Sequence, residues 1–222
     1  MHALWRVRVH GVAHIPTTGP VLLAGNHSGI LDGPLLYGIS PRPVHALAKE
    51  EVFVGPLRTL LLAIGQIPVD RTALLDVAAL RACLGVLNQD RVLAVYPEGS
   101  RGTGDFATIR DGVAWLALRS GAPVVPVAAF GVRRSDGRVT VPPRPGTRVD
   151  VFFGRPFTVT AAEPWGPILP RRVVATAGRD IHRRLRAHHA EAAAFLAQLL
   201  GLTLMPDLTG VPDLAGGQPR RR

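Results

Sequence analysis

Apolar residues in this chain fall in short runs, separated by longer stretches in which they recur every three or four positions. Short runs bounded by glycine and proline predict buried strands, and the spaced stretches predict helices packed against them. GPVLLAGN (19–26), VHALAKE (44–50), IPVDR (67–71), RVLAVYPEG (91–99) and PVVPVAAFG (123–131) read as strands, and RVDVFFGRPF (148–157) alternates as a further one. LDGPLLYGI (31–39), PLRTLLLAIG (56–65) and GVAWLALRSG (112–121) read as helices, the last two stopped by Gly65 and Gly121. The helix within residues 72–90 is expected to begin behind Thr72 as its cap and to bury Leu75, Ala79, Ala82 and Leu87. Residues 171–200 form a long amphipathic pattern, with Val174, Ile181, Leu185, Phe195 and Leu199 on one side and Arg171, Arg172, Arg179, Arg183 and Arg186 largely elsewhere. RRSDGR reads as a hairpin-like turn, and no internal repeat is visible.

This rhythm predicts one α/β domain, residues 1–205, in which helices flank a central, mostly parallel mixed sheet. Residues 206–222, PDLTGVPDLAGGQPRRR, read as a loose tail.

Composition agrees with a packed globule, since 47% of the 222 residues are hydrophobic and 19% charged. The net charge of +10 is almost wholly arginine, because Lys49 is the only lysine. Arginine forks match phosphate oxygens, so either a phosphorylated or anionic partner or a drift in composition accounts for the balance. Cys83 is the only cysteine, which excludes an intramolecular disulfide and a thiolate zinc cluster and fits a reducing compartment. The amino-terminal MHALWRVRVHG lacks the apolar core of a secretory signal. The most apolar run, TLLLAIGQIPV (59–69), is far shorter than the ~20 residues of a spanning helix, so no membrane crossing is expected.

Three stretches carry candidate chemistry. In AGNHSGILDG (24–33), His27 and Asp32 sit where a strand hands over to a helix, the edge at which ligands bind in open α/β sheets. Five residues of ideal helix turn through about 500°, so the two side chains meet only if the segment turns first, which Gly29 permits. Such a turn would let the carboxylate fix one imidazole tautomer and leave the other nitrogen as a base. The other reading is a solvated histidine beside a helix-capping aspartate. No G-x-S-x-G nucleophile occurs and nothing marks Cys83 as activated, so a base here would act on a substrate hydroxyl. YPEGSRG (96–102) projects Glu98 and Arg101 from a glycine-rich turn able to hold an anion, or is an ordinary strand-to-loop connection. GQIPVDR (65–71) adds Arg71, a second phosphate contact or a surface arginine paired to Asp70.

In this order the blocks resemble the 1-acyl-sn-glycerol-3-phosphate acyltransferase family of glycerolipid acyltransferases, over roughly residues 11 to 155. Asn26, His27 and Asp32 match its N-H-x-x-x-x-D block, and Gly65 to Arg71 match G-x-I-x-V-D-R. Pro97 to Gly102 match P-E-G-T-R-S, and Val125 to Val127 match V-P-V. The resemblance implies that His27 is the general base toward the acceptor hydroxyl and that Asp32 orients it, with Asn26 and Gly29 supporting the turn. Arg71, Glu98, Gly99, Ser100 and Arg101 would hold the acceptor's phosphate and glycerol, while Val125, Pro126 and Val127 would line the acyl-donor side. The donor would be acyl-CoA or an acyl carrier protein, with no cofactor and no acyl-enzyme.

Two departures bear on the acceptor. Gly29 stands where the family often has serine, and EGSRG stands for EGTRS. Glycolipid or amino-lipid acceptors, hydrolysis by water, and a basic nucleic-acid-binding module are the rival readings. The expected setting is peripheral, on an anionic membrane surface at the cytoplasmic face and without nucleic acid. Attachment would come through the basic carboxy-terminal helix or the apolar FVGPLRTLLLAIG, each of which could instead pack within the domain. His10, His14, His182, His188 and His189 lack a convincing carboxylate partner set, so no metal is expected. Trp5, Trp115 and Trp165 are too scattered for a cofactor site and read as core or interfacial residues.

Overall fold

The computed structural model describes residues 4–70, 76–134, 136–161 and 168–201. Seven strands form one sheet: β1 (Arg6–His10), β2 (Val21–Gly25), β3 (Val44–Lys49), β4 (Ile67–Val69), β5 (Val92–Val95), β6 (Val124–Phe130) and β7 (Arg148–Phe153). Their order is β1-β7-β6-β2-β5-β3-β4. β2 to β6 run parallel, β7 pairs antiparallel with β6, and β1 pairs parallel with β7. The expected α/β class and mostly parallel mixed sheet are therefore observed. The interior strands β2, β5 and β6 are buried throughout, as their uninterrupted apolar runs require when both faces are covered.

Five helices complete the fold: α1 (Asp32–Ile39), α2 (Gly55–Ala63), α3 (Val77–Asn88), α4 (Gly112–Ser120) and α5 (Arg171–Leu199). On one sheet face Leu22, Ala24, Leu93, Val95 and Val124 pack with residues of α3, α4 and the first half of α5. On the other face Val21, Leu23, Val125 and Val127 pack with Leu35 and Leu36 of α1. The second half of α5 covers Ala128, Phe130 and Phe152.

Several expectations are corrected. β1 was read only as a charged amino terminus, yet Val7 and Val9 alternate with Arg6, Arg8 and His10 and put the apolar pair against the sheet core. The cap of α3 is Asp76, whose side chain accepts from the Ala79 N–H, and not Thr72. Its buried stripe is Ala79, Cys83 and Leu87, spaced by four, so Ala82 faces out, while Leu75 lies outside the described residues. On α5 the stripe continues through Ala192 and Leu196, and the larger Phe195 and Leu199 are displaced from it and about half exposed. None of the residues of α2 is fully buried, and Leu61 is partly so. Trp165 and the tail 206–222 lie outside the described residues.

Candidate active site

The site stands at the carboxyl ends of β2 and β5, neighbours in the sheet with Ala24 opposite Val95. The chain leaves β2 at Gly25, and the segment that follows carries Asn26 and His27 before α1 begins at Asp32. His27 Nδ1 lies 2.8 Å from Asp32 Oδ2, both residues being buried. The same carboxylate oxygen accepts the backbone N–H groups of Ser28 and Gly29 at 2.8 and 3.0 Å. A carboxylate oxygen holding three donors turns the five-residue separation into a closed loop. It leaves Nδ1 as the donor to Asp32 and Nε2 as the free imidazole nitrogen. Of the two readings left open above, the structure has the His–Asp pair.

Gly29 has a different reason from the one expected. Its φ is not positive; instead a Cβ there would come within 2.8 Å of the Val132 carbonyl oxygen, so a serine would have to displace the strand exit after β6. Asn26 ties three pieces of chain together. Its amide donates to the carbonyls of Gly104 and Ala129 at 2.9 and 3.0 Å, and its Oδ1 accepts the Ala129 N–H at 2.8 Å.

The loop after β5 clamps His27 on both sides of its own peptide units. Glu98 Oε1 accepts the His27 N–H at 3.0 Å, and the Gly102 N–H donates to the His27 carbonyl at 2.9 Å. Glu98 was expected to touch the acceptor, but its carboxylate is turned to the His27 backbone and is not on the cavity wall. Burial is the main reason its carboxyl is pushed up to about 7, opposed by the His27 hydrogen bond and reinforced by the charges of Asp105 and Asp32.

A cavity of about 700 Å³ opens beside His27, within the ~300–1,000 Å³ typical of small-molecule sites. Its wall is mostly apolar, including Ala46, Leu47, Leu61, Val69, Ala79 and Leu116 from β3, α2, β4, α3 and α4. At the His27 end it carries Gly99, Arg101 and Arg110. Arg101 Nε is buried without a hydrogen-bond partner, which suits a group arranged for an incoming anion. Ser100 is exposed and is not part of the wall. Val125, Pro126 and Val127 are buried inside β6 and are not part of this cavity's wall. Arg71 lies outside the described residues.

Two residues that motif spacing does not mark join the site. Tyr96, the residue before Pro97, stacks on the His27 ring with centroids 4.4 Å apart and planes 21° apart. Its hydroxyl is held well above its ordinary value, mainly by burial, with the Asp32 charge adding to it. Arg110 is brought back by its N–H, which donates to the Pro97 carbonyl at 2.8 Å, and its side chain lies against the α-carbon of Gly99. The signal for both is position: each flanks the P-E-G block on the strand or on the returning chain.

The remaining candidates are structural. Burial pushes the Cys83 thiol up to about 12, which removes it as a nucleophile. His14, His182 and His188 each bond a backbone carbonyl, and His10 bonds Asp150. Among the described residues no group of three His, Cys, Asp or Glu could hold a metal ion.

A family model described as Acyltransferase matches residues 6–129, more than half of the chain and all of the His27, Glu98 and Arg110 neighbourhood. The chain belongs to the acyltransferase family. It is 27% identical over 135 residues to a 1-acyl-sn-glycerol-3-phosphate acyltransferase of Borreliella burgdorferi, covering 58% of this chain and 54% of that one. It is 28% identical over 127 residues to the enzyme of that name from Bacillus subtilis, covering 56% and 63% respectively. The matched segment thus spans only about half to three-fifths of those relatives. In fold the chain is similar to the crystal structure of the 1-acyl-sn-glycerophosphate acyltransferase PlsC from Thermotoga maritima, with a TM-score of 0.61 and 22% identity, covering 85% of this chain and 72% of that one.

Proposed function

We propose that this acyltransferase-family chain moves a fatty acyl group from an acyl thioester, on CoA or an acyl carrier protein, to a hydroxyl of a lysophospholipid such as 1-acylglycerol-3-phosphate. One observation carries the reading: the free nitrogen of a buried His–Asp pair stands at the arginine-bearing end of a long apolar cavity. The names of the relatives support the acceptor.

In this reading Arg101 and Arg110 hold the acceptor's phosphate, while the apolar wall holds an acyl chain. His27 Nε2 takes the proton of the acceptor hydroxyl as its oxygen bonds to the thioester carbonyl carbon. Asp32 keeps the ring oriented and balances the imidazolium without taking its proton. The tetrahedral centre collapses, the C–S bond breaks, and the imidazolium returns the proton to the leaving thiolate. Ester and thiol are the products, and the enzyme is regenerated with no covalent intermediate. The protein would work peripherally at the cytoplasmic face of a membrane. Among the described residues no helix is long and apolar enough to cross one.

The test is thiol release from an acyl-CoA with and without a panel of lysolipids, the products identified by mass spectrometry. Release should require an acceptor carrying phosphate and should fall by ~10²–10⁴ in His27→Ala and in Asp32→Ala. Equal release without acceptor would favour a hydrolase, product formation only with a phosphate-free acceptor would redirect the arginines, and wild-type transfer by both variants would remove the mechanism.

A further inference from the structure

α2 is unusual among the helices because nothing described in the chain covers its outer side. Leu57, Leu60 and Leu62 are 46%, 56% and 44% exposed, and Val54, just before the helix, is 63% exposed. Four such side chains on one nine-residue helix and its approach make a concentrated apolar surface, which soluble proteins ordinarily avoid unless it meets something. Leu61 and Ile64, each one helical turn on from Leu57 and Leu60, line the cavity wall together with Val52. Across the cavity Ile30 and Tyr37 of the α1 side are also about two-fifths exposed. Apolar surface therefore runs from the exposed part of α2 into the cavity.

Charge selects the occupant. Lys49 and Arg58 in this segment are balanced by the equally exposed Glu50 and Glu51, but the chain carries +10 overall. A second copy of so basic a chain would be repelled, whereas an anionic leaflet attracts it and also dissolves leucine side chains. A nine-residue helix is only about 14 Å long, so it can lie in the interface but not span it. α5 competes poorly for this role, because its cations are partly committed: Arg183 and Arg184 pair with Asp180, Arg184 also sits over the Phe157 ring, and Arg179 bonds Thr176.

We propose that α2, with Val54 leading into it, is the element that docks this protein on an anionic lipid leaflet and sets the mouth of the cavity against the membrane. The use made of docking rests on the acyltransferase reading, because an acyl chain could then pass from leaflet to cavity without crossing water. The docking itself does not depend on that reading.

Flotation of the full chain with phosphatidylcholine vesicles, with and without phosphatidylglycerol, tests it. Wild type should float with the anionic vesicles, and Leu57→Gln/Leu60→Gln/Leu62→Gln should lower the bound fraction at least ~10-fold. None of the three leucines lines the cavity, so the thermal midpoint and turnover of dispersed short-chain substrates should stay unchanged. Leu60→Trp supplies a direct reading: its fluorescence should shift to the blue on anionic vesicles and be quenched by brominated acyl chains. His27→Ala should bind vesicles as wild type does while losing transfer, which separates failure of docking from failure of the chemistry. The proposal is overturned if wild type ignores anionic vesicles or if the triple variant binds as well as wild type. It is equally overturned if wild type is a dimer that the triple variant dissociates with vesicle binding intact.

Discussion

His27 keeps one nitrogen for chemistry because the other is held at 2.8 Å by Asp32, and Asp32 is held in turn by the N–H groups of Ser28 and Gly29. The pair was legible as residue types, but its closure depends on those two backbone donors, which no side-chain letter records. Glu98, singled out for the acceptor, has its carboxylate accepting the His27 N–H. Its raised carboxyl makes a prediction with a definite sign. Between its ordinary 4.5 and about 7 the folded protein binds more protons than the unfolded chain, so the buried charge lowers stability as pH rises through that window. Glu98→Gln keeps an acceptor for the His27 N–H and removes the charge. Its thermal midpoint should exceed that of wild type above pH 7, and the gap should close as pH falls toward 4.5. A gap that widens at acid pH would contradict the burial argument.

At the scale of elements, the end of α2 explains why a glycine opens the second block. Gly65 has φ +74°, its N–H reaches the Leu62 carbonyl, and its own carbonyl bonds His45 Nδ1 at 2.7 Å. A Cβ there would be driven into the His45 ring. Gly65→Ala should therefore cost about 2 kcal/mol or more in a urea titration, combining left-handed strain with displaced packing. Gly85, inside α3 with open space where a Cβ would stand, is the contrasting site. Gly85→Ala should raise stability by about 0.5–1 kcal/mol, since alanine loses less chain entropy in a helix. If the two substitutions act alike, the left-handed geometry at Gly65 is not what holds that turn. Element limits were mostly legible because capping glycines and apolar runs are local signals. The buried stripe of α5 was misread for a local reason too: size suggested Phe195, whereas helical phase selects the small Ala192.

For the whole molecule, the cavity is the property that belongs to no single element. β3, β4, α2, α3 and α4 each add one to three apolar side chains, and the site's arginines arrive from the loop after β5. If it holds the acyl chain, narrowing it far from His27 should shorten the preferred chain without changing the chemistry. Ala79 on α3 is 5% exposed and lines the wall. Ala79→Leu should shift the product ratio toward shorter chains when thioesters of several lengths compete, measured by mass spectrometry. An unchanged ratio would place the acyl chain elsewhere.

The sequence by itself determined the α/β class, the positions of most strands and helices, and the residue types of the His27–Asp32 pair. These follow from hydrophobic period, turn residues and motif spacing, all of which act over a few residues. Only the tertiary structure decided that Glu98 accepts the His27 N–H, that Tyr96 and Arg110 stand beside His27 and Gly99, and that Val125 to Val127 stay inside the sheet. It also decided that β1 adds an edge and that Leu57, Leu60 and Leu62 of α2 are exposed. Each of these depends on which segment, far along the chain, arrives as a neighbour, or on none of the described segments arriving. Such encounters are fixed by the packing of the entire chain, and local pattern does not carry them.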